Sequence, residues 1–159
     1  MFLKPDYDLK SIYDINLDEL KSLGVKAILF DLDSTLMASK SGVYSDEVYS
    51  FIRNVEEKFF IAVVSNNKNP EYIKKVKAIT HFPILFEARK PFTGYIRRFL
   101  KDFNIDPRDC VLVGDRPLTD ILCGKRLGCR TILVDSITAD TESKIVRFVR
   151  ALERLSIKK

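Results

Sequence analysis

The sequence predicts an α/β protein: a doubly wound, three-layer α/β/α sandwich around a five-stranded, mainly parallel sheet. Two observations carry this expectation. Short, predominantly apolar runs recur along the chain, including Val25–Phe30 (VKAILF), Phe59–Val64 (FFIAVV) and Arg130–Val134 (RTILV). Runs of this kind mark strands buried on both faces, the condition of a covered parallel sheet. Between them lie stretches whose apolar residues recur at helical spacing, so strands and helices alternate and helices cover both faces.

Taken in order, Met1–Asn16 mixes apolar residues (Phe2, Leu3, Tyr7, Leu9, Ile12, Tyr13) with charges. It is expected as a packed N-terminal arm, with contact to a membrane surface as the sharper alternative. Asn16-Leu17-Asp18-Glu19 has the form of a capping box, opening a short helix that Gly24 ends. The first strand is Val25–Phe30. Ser45–Glu57 is a helix because Val48, Phe51, Ile52 and Val55 share one face. Phe59–Val64, rich in β-branched and aromatic residues, is the second strand. Pro70–Ala78 is a helix with proline in its first turn, and Pro83–Phe86 is a short third strand. Phe92–Phe103 carries Tyr95, Ile96, Phe99, Leu100 and Phe103 at helical spacing. Cys110–Val113 is the fourth strand, Pro117–Leu127 a helix closed by Gly128, and Arg130–Val134 the fifth strand. Thr141–Leu155 is a final helix. Its Ile145, Phe148, Val149, Leu152 and Leu155 form an expected core stripe, and its Lys144, Arg147, Arg150 and Arg154 a solvent face continued by Lys158 and Lys159. The whole is expected as one domain over residues 1–159, with an arm and short helix over 1–24 and the core over 25–159.

Composition narrows the function classes. No apolar run is long enough to span a bilayer, and the N-terminus lacks a signal-peptide core, so a cytoplasmic protein is expected. Cys110, Cys123 and Cys129 form no CxxC pair and are expected as reduced, buried thiols rather than disulfides or zinc ligands. The net charge of +5 suits an anionic partner, either a phosphorylated substrate or a membrane surface. Nucleic acid is not expected, because the chain has no Trp, no RNA-binding aromatic motif and no zinc finger. His81, the single histidine, reads as a loop or edge residue.

Polar residues stand at four strand ends. Asp31 and Asp33 follow the first strand, Ser65-Asn66-Asn67 the second, Arg89-Lys90-Pro91 the third, and Gly114-Asp115 through Asp120 the fourth. Right-handed connections bring all four to one edge of the sheet. Residues i and i+2 on extended backbone point the same way, so Asp31 and Asp33 can address one site, which Asp115 joins. Converging carboxylates repel one another unless a cation lies between them, and Mg²⁺ suits an all-oxygen set shared with a phosphate. Lys90 adds a point positive charge, while Ser65 and Asn66 offer donors for phosphate oxygens. The set suits phosphoryl transfer through an aspartyl-phosphate. Asp31 would attack phosphorus, and Asp33 would protonate the leaving oxygen and then activate water.

FDLDSTL at 30–36, Ser65, Lys90 and Gly114-Asp115 through Asp120 resemble, in order and placement, the four motifs of the haloacid dehalogenase (HAD) superfamily, whose core is a Rossmann-like sheet. SIYDIN, LGVKAILFDLDSTL, VVSNN, Ala88 to Pro91, GDRPLTDILCGKRLG and TILV resemble the YqeG-type class IIIA phosphatases, related to the mitochondrial phosphatidylglycerophosphate phosphatases. The resemblance implies that Asp31 is nucleophile and Mg²⁺ ligand, and that Asp33 is acid/base and binds Mg²⁺ through its backbone carbonyl. It implies that Thr35 orients the loop at the phosphate site, that Ser65 and Asn66 bind phosphate, that Lys90 stabilises it, and that Asp115 and Asp120 serve the metal.

The segments Asp33–Ser65 and Ser65–Lys90 each hold one helix and one strand, leaving a minimal cap or none, with at most a short flap over Met37–Tyr44. An open site suits a phosphate on a large molecule. Phosphatidylglycerophosphate is the substrate to which the resemblance points; Arg89, Arg116, Lys125 and Arg126 near the site would suit peripheral contact with an anionic membrane, the alternative being that they are simply solvated surface charges. A soluble phosphate ester or a phosphoprotein is the alternative. Outside enzymes, a receiver-like phospho-aspartate switch uses a similar residue set, but it has no use for an acid/base at Asp33.

Overall fold

The computed structural model describes residues 3–137, 149, 151–155 and 157. Six strands form one sheet, all neighbours parallel: β1 (Tyr7–Leu9), β2 (Ala27–Phe30), β3 (Phe60–Val64), β4 (Ile84–Leu85), β5 (Cys110–Gly114) and β6 (Arg130–Val134), in spatial order β1-β6-β5-β2-β3-β4. The helices are α1 (Leu17–Ser22), α2 (Asp46–Glu56), α3 (Pro70–Ile79), α4 (Gly94–Asp102) and α5 (Leu122–Leu127).

Alternation along the strands builds two cores. Ile28, Phe30, Ile61, Val63, Val111 and Val113 pack on the side of α2, whose Val48, Phe51, Ile52 and Val55 are buried, and of α3 with Val76. Ala27, Leu29, Ala62, Val64 and Leu112 face the other way, onto Ile96 and Leu100 of α4 and Cys123 and Leu127 of α5. This is the three-layer sandwich expected. Local signals set the helix starts: Ser45 accepts from Val48 N at 3.1 Å, and Asn69 accepts from Tyr72 N at 3.0 Å with Pro70 in the first turn.

The chain moves from β2 through β3 to β4 on one side, then returns to place β5 and β6 on the other. The reversal falls between β2 and β5, so their carboxyl ends flank the crevice in which such sheets bind ligands.

The sheet has one strand more than the five expected. β1, drawn from the N-terminal arm, pairs with β6 in the register Tyr7 to Ile132. Asp6 fastens it: its carboxylate accepts from Thr131 N at 2.8 Å and Thr131 Oγ1 at 3.1 Å, and its own N–H donates to Thr131 O at 3.1 Å. Ile12 is buried and Tyr7 and Leu9 pack against the core, which is how the arm uses its apolar residues.

Other boundaries also differ. The expected helix Pro117–Leu127 begins as a π turn over Pro117–Ile121 before α5. α4 starts at Gly94 rather than Phe92, and Phe92 is left 69% exposed. Of the expected helix Thr141–Leu155, residues 149 and 151–155 are described and helical. Ile145, Phe148, Lys144, Arg147, Arg150, Lys158 and Lys159, like Met1 and Phe2, lie outside the described residues. Val149, Leu152 and Leu155 are exposed, contrary to the expected core stripe. Among the described residues here, buried Glu153 accepts from Arg116, and Arg154 pairs with Asp135 and donates to Val134 O. The three cysteines are free and buried. Among the described residues no helix is long and apolar enough to cross a membrane.

Candidate active site

β2 sets the floor. Its pairing with β5 continues one residue past the strand, where Asp31 N donates to Val113 O at 2.9 Å. Leu32 then turns fully into the core, leaving Asp31 and Asp33 half-buried on the crevice side. The chain doubles back at once: Ser34 takes a left-handed conformation (φ +67°), and its N–H donates to Met37 O at 2.7 Å. The turn buries Thr35, whose hydroxyl donates to Asp115 Oδ1 at 3.2 Å.

Lys90 crosses the site from the loop after β4. Its ammonium donates to Asp31 Oδ1 and to Asp120 Oδ1, both at 2.7 Å, and its side chain is only 2% exposed. Asn66 holds the backbone of that lysine from both sides, accepting from Lys90 N at 2.7 Å and donating to Lys90 O at 2.9 Å. Both polar groups of the Asn66 amide are thus engaged, although phosphate was its expected partner. Ser65 is anchored by its N–H to Leu85 O at 2.8 Å, and its hydroxyl accepts from Asn67 N at 3.1 Å.

Asp120, buried, lies against Gly114. A Cβ on Gly114 would come within 2.2 Å of the Asp120 carboxyl, so only glycine allows this approach. The other Asp120 oxygen accepts from Arg116 N at 3.1 Å. Ligand oxygens of Asp31, Asp115 and Asp120 all lie within 4.8 Å of one another.

The Asp31, Asp115 and Asp120 carboxylates converge on the Lys90 ammonium in a shielded crevice, with the Arg116 guanidinium adding attraction for Asp115 and Asp120. Carboxylates crowded in this way raise one another's pKa or draw in a further cation. Burial first, then the Asp120 carboxylate, push Asp31 up to about 6 against the opposing pull of Lys90. Burial alone would lower the pKa of Lys90, but Asp120 and Asp31 more than offset it, and the ammonium keeps its proton. The donors are all hard carboxylate oxygens within reach of one point, so the residues fit Mg²⁺.

Asp33 faces elsewhere. Its Oδ1 accepts from the Lys40 N–H at 2.9 Å and from the hydroxyl of Tyr72 on α3. Tyr72 and Lys40 were not singled out in the sequence. Tyr72 lies on the helical pattern of α3 like any half-buried core residue, and Lys40 acts through its backbone, which leaves no compositional trace. Asp31, Asp33, Ser65, Asn66, Lys90 and Asp115 border a cavity of about 330 Å³, and Arg116 reaches its wall. Lys125 and Arg126 do not: they line a separate hollow with Arg97 and Arg108, and Lys125 pairs with Asp6. His81 borders neither cavity; it is exposed and bonded to Glu56 at 2.6 Å.

Residues 87–146 match the family model described as HAD-hydrolase-like. The probable phosphatase YqeG of Bacillus subtilis (strain 168) is 32% identical over 153 residues, covering 96% of this chain and 88% of that protein. The chain belongs to the HAD phosphatases. Within them it is related both to YqeG and to phosphatidylglycerophosphate phosphatase 1 of Arabidopsis thaliana, which is 32% identical over 99% of this chain. The chain spans about half (48%) of that plant protein. Solved HAD folds superpose on it. A HAD family enzyme from Bacteroides thetaiotaomicron, in complex with magnesium, matches at a TM-score of 0.54 and 14% identity over 79% of this chain and 98% of that one. An uncharacterized Listeria monocytogenes protein reaches a TM-score of 0.59 at 20% identity over 69% and 78% of the two chains. At such identities the likeness shows the fold alone.

Proposed function

We propose that this HAD phosphatase is a Mg²⁺-dependent phosphomonoester hydrolase that works through a phosphorylated Asp31, with phosphatidylglycerophosphate as its substrate. The observation that carries the reading is the half-buried Asp31 carboxylate, held by Lys90 beside Asp115 and Asp120, with Asp33 two residues on but bonded to a separate set of donors.

Asp31 attacks phosphorus as the leaving oxygen departs. Asp33, at the cavity wall, gives that oxygen its proton and then takes one from the water that hydrolyses the acyl phosphate. Asp31, the Asp33 backbone carbonyl, Asp115 and Asp120 would hold Mg²⁺, which when bound neutralises charge on the transferring phosphoryl group. Lys90 adds fixed positive charge there, kept in place by the Asn66 clasp on its backbone. Ser65 and Asn66 border the phosphate position, and Thr35 braces the loop through Asp115. The substrate assignment is supported by similarity to the plant enzyme and by the slender segment 31–45, which leaves the crevice open to a large headgroup.

The test compares phosphate release from phosphatidylglycerophosphate in mixed micelles with release from sugar phosphates and nucleotides. The expected preference for the lipid is at least ~10-fold in kcat/KM, about 1.4 kcal/mol of barrier. A soluble ester that is hydrolysed better would remove the lipid assignment and leave the phosphatase intact.

A further inference from the structure

The catalytic cavity is not isolated. Lys40, Asn66 and Asn67 line it, and the same three residues line a neighbouring hollow of about 720 Å³ completed by Lys68, Asn69, Glu71, Tyr72 and Lys75. Three ammonium groups against the single carboxylate of Glu71 give this second hollow a net positive charge. Its floor is linked to the catalytic loop. Lys40 sits in a left-handed conformation (φ +58°) with its N–H on Asp33. The stem of Lys75 lies across Gly42, where a Cβ would meet it at 2.8 Å, and its ammonium donates to Ser41 O at 3.0 Å. Lys40 and Lys75 are therefore placed by the same segment, residues 31–45, that carries the two catalytic-loop acids, and Lys68 stands between β3 and α3. Tyr72 stands between the two, lining the second hollow while its hydroxyl donates to Asp33.

Asp33 is also the residue that protonates the leaving oxygen in the proposed reaction, as that oxygen's bond to phosphorus breaks. What lies beyond it is the position of the alcohol released, not of the phosphoryl group transferred. A basic hollow there recognises negative charge on the leaving group.

From this juxtaposition we infer that the hollow lined by Lys40, Lys68 and Lys75 is a second anion subsite, selecting phosphomonoesters whose leaving alcohol carries another phosphate. The inference rests on the phosphatase reading and narrows its substrate class. A phosphodiester in a lipid headgroup and a second phosphate on a soluble bisphosphate have the same chemistry, and experiment separates them.

The test measures kcat/KM with Mg²⁺ for glycerol 3-phosphate, glycerol 1,3-bisphosphate and phosphatidylglycerophosphate in mixed micelles. The variants are Lys68→Glu and Lys75→Glu. The bisphosphate is expected to exceed the monophosphate by at least ~10-fold, and each variant to bring that ratio most of the way to unity. Higher ionic strength should lower the ratio as well. If the lipid gains over the bisphosphate in wild type and loses as much in the variants, the diester is the natural occupant; if the two are equal, a soluble bisphosphate is. Hydrolysis of all three esters with a ratio near unity, or a ratio that both variants leave unchanged, overturns the subsite while the phosphatase stands. If no ester is hydrolysed, the phosphatase reading fails separately, and the subsite is decided by binding of glycerol 1,3-bisphosphate to the Asp31→Asn protein. Affinity at least ~10-fold weaker in the added presence of Lys68→Glu upholds it, and equal affinity overturns it.

Discussion

Asp31 and Asp33 stand two positions apart but have different partners, and the proposed division of labour rests on that difference. Asp31 faces Lys90, Asp115 and Asp120, whereas Asp33 is held by Tyr72 and the Lys40 N–H. Tyr72→Phe removes one donor from the proposed acid/base, together with a hydroxyl contact to Met37 Sδ at 3.3 Å. The expected result is a kcat lower by roughly 10-fold, the worth of one hydrogen bond to a charged group, with KM and thermal stability nearly unchanged. The elevated Asp31 pKa gives a second expectation. A carboxyl raised above its unfolded value contributes stability that is fully present below the unfolded pKa and is lost as pH rises through the folded one, here about 6. The metal-free protein is therefore penalised above that value, where the proposed Mg²⁺ would meet an ionised carboxylate. Added Mg²⁺ should raise Tm more at about pH 7.5 than at about pH 5; an equal rise at both would detach Asp31 from the metal.

At the level of elements, the strands with continuous apolar character were legible because burial on both faces writes itself into composition. β1 was not. It has three residues, alternates between partly buried and exposed, and owes its place to pairing with a strand more than a hundred residues away. The π turn at Pro117–Ile121 was equally hidden, since helical periodicity does not distinguish it from the first turn of α5. Exposed Leu152 and Leu155 show the opposite failure: helical spacing marks a stripe but does not say that anything covers it. The clasp on β1 can be tested by itself. Asp6→Ala removes the carboxylate that accepts from Thr131 N–H and Oγ1 at the sheet edge, away from the chemistry. It should cost about 1–3 kcal/mol in urea unfolding and leave kcat/KM unchanged.

For the whole molecule, the chain reversal between β2 and β5 converts four separated polar segments into one crevice. The candidate site was legible in the sequence for that reason: the residues of FDLDSTL, Ser65, Lys90 and Asp115 sit at strand ends, and parallel topology brings strand ends together. What the sequence concealed is how the side chains pair, such as the Asn66 amide on the backbone of Lys90 or Lys90 bridging Asp31 to Asp120. Those contacts depend on loop conformation rather than on residue type. The central claim is that Asp31 carries the phosphoryl group and Asp33 releases it. Asp33→Asn should slow both steps in which a proton moves, and hydrolysis more than transfer when the leaving group is a good one such as p-nitrophenolate. The decisive measurement is mass spectrometry of Asp33→Asn protein, acid-quenched after mixing with p-nitrophenyl phosphate and Mg²⁺. The expected result is an adduct of about 80 Da on the peptide bearing Asp31, absent when Asp31→Asn is added. An adduct on another residue, or phosphate release that continues in Asp31→Asn, would contradict it.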